Sequence, residues 1–257
     1  HSRSGIDSQS LCEASHEAWI HLYRGHAYSR ETQISYYLEG ELSIFALDAE
    51  LRKRSNGESG VGDLMAELYH KHNINVEQKG DRGIQYRDIR KALTSLRGGR
   101  RLGTFLDELT TKKGVLDLDQ AFALFGIPYE SSKAKERKDG TEKIAWKEFE
   151  QGWLGINLRN QNNKLLVSSH LQGSPVREHL QVGDEVIAIN DQRITSSEQL
   201  KTALKGNAEE EITILYSRSS IIQEVNVTPI NEPKSPTVSA CDGNRFWKAT
   251  TRTLQKS

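Results

Sequence analysis

Two hydrophobic periods divide the chain. Between Ser10 and Phe149 apolar residues recur every three or four positions, the spacing of helices with a buried stripe; from Trp153 to Ile230 they alternate, as in half-buried strands. The segment Gln33 to Arg52 carries Ile34, Leu38, Leu42, Ile44, Phe45, Leu47 and Leu51 with no wide polar face, which predicts a helix buried all round. Lys53, Arg54 and Asn56-Gly57 stop it: cations meet the C-terminal dipole, then come residues tolerant of the left-handed conformation. Shorter stripes follow at Leu64, Met65, Leu68 and Tyr69, and at Tyr86, Ile89, Leu93 and Leu96 before Gly98-Gly99. Two more run through Leu102, Phe105, Leu106 and Leu109 before Gly114, and through Ala121, Phe122 and Phe125 before Gly126 and Pro128. Such a succession predicts an antiparallel helical array.

In the second half, Leu165 and Val167, then Val186, Ile187 and Ile189, form runs bounded by the turn residues Gly173-Ser174-Pro175, Gly183-Asp184 and Asn190-Asp191. Ser196 or Ser197 can cap a short helix that aligns Leu200, Ala203 and Leu204. Ile212, Ile214 and Tyr216, then Val225 and Val227, alternate. The order of these pieces, from WLGINL to SSEQLKTAL and the last two strands, resembles a PDZ domain of the bacterial, protease-associated kind. That resemblance implies a groove in which an extended peptide adds to a strand edge while its carboxylate sits in a nest of backbone N–H groups. It assigns Trp153, Leu154, Gly155 and Ile156 to the carboxylate-binding loop. Ile156 and Leu158 are expected on the strand side of the pocket, with Leu200 and Leu204 opposite. One departure stands out: the family often has Ala-Gly-Leu before the Gly-Asp turn, where this chain has Glu178-His179-Leu180.

A length of 257 residues permits one large or two ordinary domains. The expected division is a helical domain over 1–150, a PDZ domain over 151–231 and a tail over 232–257. Ser131 to Lys143 is charged and reads as a solvated linker; Trp146 and Phe149 are expected to brace the junction, and Phe246-Trp247 to dock the tail back on the protein. The 35 basic and 35 acidic side chains balance, which argues against nucleic acid or an anionic membrane surface as partner. No apolar run is long enough to span a bilayer, and HSRSGIDSQS does not read as a signal peptide. The two cysteines, Cys12 and Cys241, make neither a disulfide framework nor a metal cluster, so the compartment stays open between cytoplasmic and exported.

Motifs for metal or phosphate chemistry read dully. His16 and His21 are five apart and point about 140° away from each other on a helix, unlike the i, i+4 pair of a zinc protease helix. His70 and His72 suit a helix end. Ser95 to Gly103 has no Gly-Lys-Ser/Thr and reads as a helix–helix turn. Asp117 and Asp119 lack the glycine and terminal glutamate of a calcium loop. No Cys–His or Ser–His–Asp arrangement is defensible from the sequence.

One group of motifs remains. Ala18-Trp19-Ile20 with Tyr23-Arg24, then Ser35-Tyr36-Tyr37-Leu38-Glu39-Gly40, then Leu47-Asp48 with Leu51-Arg52, resemble the glycyl aminopeptidase family of zinc metallopeptidases, which carry a thermolysin-like catalytic domain followed by a PDZ domain. Phe105-Leu106-Asp107, Leu116-Asp117 and Leu124-Phe125-Gly126-Ile127 continue the likeness in order. The fold expected is therefore α+β and multidomain: an all-α array, the C-terminal part of such a catalytic domain, then a PDZ-like β-sandwich or barrel with short helices. The resemblance assigns Tyr37 the phenol that donates to the oxyanion of the tetrahedral intermediate; from the residues alone Tyr37 reads as a packing tyrosine. Glu39 stands where the family often has lysine. The family's zinc helix and glutamate ligand have no counterpart here. The chain is thus expected to be the C-terminal part of a longer peptidase, without catalytic metal and inactive alone, with zinc in the parent protein. Its expected partners are peptide or protein C-termini and the N-terminal catalytic half. The alternative is a non-enzymatic adaptor joining a helical domain to a peptide-binding PDZ module.

Overall fold

In the computed structural model, residues 4–72, 83–130, 151–233 and 237–238 are described. The linker, Trp146, Phe149, Cys241 and the Phe246-Trp247 pair lie outside them. The helices are α1 (Leu11–Tyr23), α2 (Ser29–Thr32), α3 (Tyr36–Ser55), α4 (Val61–His72), α5 (Tyr86–Ser95), α6 (Leu102–Thr111), α7 (Asp119–Phe125) and α8 (Ser197–Leu204). The strands are β1 (Tyr129–Glu130), β2 (Gly152–Trp153), β3 (Ile156–Gln161), β4 (Lys164–His170), β5 (Glu185–Ile189), β6 (Gln192–Arg193), β7 (Ile212–Arg218), β8 (Ile221–Val227), β9 (Ile230–Asn231) and β10 (Thr237–Val238). They form two compact units interleaved along the chain. One gathers residues 10–16, 35–72, 83–130 and 237–238; the other gathers 4–9, 17–34 and 151–233. The expected helical segment 1–150 thus contributes to both.

In the helical unit, Ser35 starts α3 by accepting from the Leu38 N–H, and Asn56 ends it in the left-handed conformation at φ 56°. Its second half supplies Ala46, Leu47 and Leu51 to a core shared with Leu64 and Leu68 of α4, Ala92 and Leu93 of α5, and Leu102, Leu106 and Leu109 of α6. Phe45 packs against Phe122 and Phe125 of α7, with ring centroids 5.2 Å away in both pairs. The sequence pattern called for a helix buried all round, and here the structure differs. Tyr37, Leu38 and Ile44 are exposed, because α4, α6 and α7 cover one side of α3 and its apolar residues are spread over more than that side. Asp48 and Arg52, both buried, pair at 2.7 Å, and Asp48 Oδ1 accepts from the Val61 N–H that opens α4. His70 and His72 fall in the last turn of α4 and Ser95 to Gly103 spans the α5–α6 turn, as their sequence context predicted.

In the second unit, an antiparallel sheet runs in the order β3-β4-β5-β7-β8, with β6 on β5 and a separate β2–β9 pair. Asn190 and Asp191, at φ 44° and 64°, make the tight turn from β5 to β6. Ser196 caps α8 by accepting from the Gln199 N–H. Leu165, Val167, Val186, Ile189, Ile212, Ile214 and Tyr216 alternate inward over a core closed by Leu200 and Leu204. Leu180 of the variant Glu178-His179-Leu180 run is buried in the same core. The following turn places Asp184 beneath β7, where its carboxylate receives two bonds from Arg218, at 2.9 and 2.7 Å. This is the topology that the PDZ resemblance implies.

Candidate functional site

The loop before β3 is built by backbone geometry. Gly155 sits at φ 64°, and a side chain there would meet Ser174 Cα and the Trp153 ring, both at 2.7 Å. The loop's carbonyls are committed: Leu154 O accepts from Ser174 Oγ at 2.7 Å and Gly155 O from the Leu171 N–H at 2.7 Å. Its donors are not. Among the described residues, the N–H groups of Leu154 and Gly155 donate to no protein acceptor. Two uncommitted N–H groups beside a glycine of positive φ form the kind of concavity that takes an anion.

Among the described residues, β3 leaves this loop as an edge strand paired only with β4. Its free edge can receive another strand. Ile156 and Leu158 are partly buried and pack against the core on one face, while Asn157 and Arg159 are exposed on the other. α8 lies on the same side: Asn160 Nδ2 reaches Thr195 O just before the helix at 3.5 Å, and Gln151 Nε2 reaches Lys201 O within it at 2.9 Å. Leu200 and Leu204 are 7% and 3% exposed and serve the core; half-buried Ala203 is the apolar residue of α8 left beside them. The structure therefore brings Trp153, Leu154, Gly155, Ile156, Leu158, Leu200 and Leu204 into one neighbourhood.

Tyr37 belongs to the helical unit, in the first turn of α3. Its side chain is 74% exposed and its ring lies 4.3 Å from that of Tyr36. Among the described residues its hydroxyl makes no hydrogen bond. Nearby in sequence, burial pushes the Glu39 carboxyl above its ordinary range. Trp19 and Tyr23 of α1 are also exposed and stack at 5.7 Å. His21 meets Glu17 and Gln33, at 3.0 and 2.9 Å. Among the described residues, no group of three or more His, Cys, Asp or Glu side chains could hold a metal ion, and no helix is long and apolar enough to cross a membrane.

The pattern of hydrophobic positions gave no sign of Glu31. It is 4% exposed on the four-residue α2, and its Oε1 accepts from the backbone N–H of His170 at 2.8 Å. His170 Nδ1 lies 2.8 Å from the same oxygen. With 139 residues between the partners, no local periodicity could have shown the contact.

Comparison with known proteins agrees with this geometry. Residues 152–228 match the PDZ domain family and residues 1–43 match the M61 glycyl aminopeptidase family. A solved aminopeptidase N family protein from Idiomarina loihiensis superimposes with a TM-score of 0.71 at 22% identity, over 92% of this chain and 40% of its own. At that identity the likeness shows the fold: the helical array followed by a PDZ domain. This chain spans only 40% of that relative's length. The PDZ domain of a carboxy-terminal protease from Vibrio cholerae, solved in complex with peptide, matches over 31% of this chain and 94% of its own, at 14% identity and a TM-score of 0.27. No curated protein matches the chain. The chain is thus peptidase-related and carries a PDZ domain, resembling the C-terminal part of a glycyl aminopeptidase-like protein.

Proposed function

We propose that this chain is the C-terminal part of a zinc metallopeptidase, an aminopeptidase, and that its PDZ groove takes peptide or protein C-termini. The observation that carries the groove is the loop at Gly155. Its carbonyls are tied down and, among the described residues, two of its N–H groups have no acceptor and the strand it opens onto has a free edge. A terminal carboxylate would accept from those N–H groups. The peptide backbone would extend the sheet along β3, and its last side chain would rest between Ile156, Leu158 and α8. Titration with a library of peptides, free acid against amide, tests this; equal binding of the two forms overturns the carboxylate nest.

The peptidase half of the reading rests on the match of residues 1–43 and on the order of motifs up to Ile127. The donor set for zinc is not among the described residues. In the parent protein, zinc would polarise the scissile carbonyl and activate water. Tyr37 would add a phenol donor to the oxyanion, and its exposure leaves the hydroxyl accessible for that role. The zinc-binding half is then the chief partner of this chain. The purified chain is expected to contain no stoichiometric zinc and to show no chelator-sensitive aminopeptidase activity. Finding both would overturn the reading.

A further inference from the structure

We propose that Glu31 is a positioning residue for the carboxylate-binding loop, so that the N-terminal segment, which matches the peptidase family, forms part of the PDZ groove's support. This rests on the groove reading above. The geometry is a short relay. Residues 170–174 run behind the loop and hold it from one side: the Leu171 N–H bonds Gly155 O, and Ser174 Oγ bonds Leu154 O. His170 itself pairs with Ile156, the first strand residue after the loop.

The same stretch is held on its other side by residues from the start of the chain. Glu31 Oε1 receives both the backbone N–H and Nδ1 of His170, each at 2.8 Å. Gln172 Nε2 donates to Asp7 Oδ2 at 2.8 Å. The carboxylate of Glu31 has a second neighbour in Arg177, 3.9 Å from Oε2, which balances its charge within the protein. Held in this way, residues 170–174 keep the carbonyls of Leu154 and Gly155 turned to the rear; each shares a rigid plane with the next residue's N–H, so the Gly155 and Ile156 N–H groups are kept turned the other way, toward the ligand. A nest works only while its N–H groups converge, so a loosened support weakens the carboxylate contact in particular and leaves side-chain contacts along β3 largely intact. Coupling of this kind is reciprocal: whatever binds the groove also favours the docked position of the N-terminal segment.

The test uses the full chain as wild type, Glu31→Ala, Glu31→Gln and Asp7→Ala. Each is titrated with a pooled pentapeptide library bearing free C-termini and with its amidated copy, beside a thermal melt. Glu31→Ala is expected to weaken free-acid binding about tenfold, the scale of one charged hydrogen bond, while amide binding changes less than about twofold. Glu31→Gln keeps an oxygen in place of Oε1 and should recover most of the loss. Asp7→Ala, at an exposed bond, should lose about two- to threefold for the acid form alone. Free-acid affinity unchanged in a folded Glu31→Ala overturns the inference and leaves the groove reading standing. A parallel loss of acid and amide binding also overturns it, since that reports a damaged sheet. Equal acid and amide binding by the wild type overturns both readings together. Should Glu31→Ala fail to fold, Asp7→Ala decides: no acid-specific loss there overturns the inference.

Discussion

The loop at Gly155 and the first turn of α3 at Tyr37 carry the two candidate functions, and they are built in opposite ways. Around Gly155 the carbonyls of Leu154 and Gly155 each have a partner from this chain, the glycine's neighbours leave no room for a side chain, and the support reaches back to Glu31. Around Tyr37 the ring touches Tyr36 and is otherwise largely in solvent. A site completed by its own chain is rigid and sensitive to small changes. A side chain standing in solvent tolerates change and acquires a chemical role only with groups brought to it.

That contrast can be broken experimentally. The largest effect on peptide binding is expected at Gly155→Val. The side chain would strike Ser174 and Trp153 and would force a β-branched residue to φ 64°. Strain of about 1–3 kcal/mol should appear in the unfolding free energy, and free-acid peptide binding should fall by more than about a hundredfold, since the nest is lost. Binding near the wild-type value would show that the loop is not the carboxylate site. Next comes Leu47→Ala in the fully buried core of the helical unit, expected to cost about 2–5 kcal/mol on denaturant unfolding. It calibrates what a structural position of α3 is worth.

Tyr37→Phe, ten positions earlier on that helix, should change stability by less than about 0.5 kcal/mol and leave peptide affinity untouched. A loss comparable to that of Leu47→Ala would make Tyr37 a packing residue after all. The smallest effect belongs to Glu39, whose carboxyl is raised by burial. A raised carboxyl binds its proton more tightly in the folded state, so stability falls as pH rises from the unfolded value through the folded one. Above that window the cost remains. Glu39→Gln should therefore be a few tenths of a kcal/mol more stable at neutral pH and converge with the wild type in acid, which urea titrations at several pH values would reveal.

The sequence made the β-rich unit legible because its signals are local. Asn190-Asp191, Ser196 and the alternation through Ile212, Ile214 and Tyr216 each dictate one element, and all agree with one topology. The helices from α3 to α7 were readable for the same reason, their stripes and glycine stops lying within a few turns. What escaped was the degree of burial along α3 and the whole of the Glu31 contact. Period alone says that a residue is apolar, not which neighbour arrives to cover it, and so Leu38 and Ile44 read as core although they are exposed. Glu31 is charged and sits on a single helical turn, a pattern that normally marks solvent. Its burial is compensated by groups on β4 and by Arg177, far away in sequence.

In the proposed groove the backbone N–H groups before β3 receive a peptide carboxylate. The amide resonances of Leu154, Gly155 and Ile156, followed by NMR during titration with a free-acid peptide pool and then with its amidated copy, test it directly. Saturable downfield shifts of the Leu154 and Gly155 amides with the acid form, strongly reduced with the amide form, are predicted. Amides that stay still, or that move equally with both forms, would contradict it.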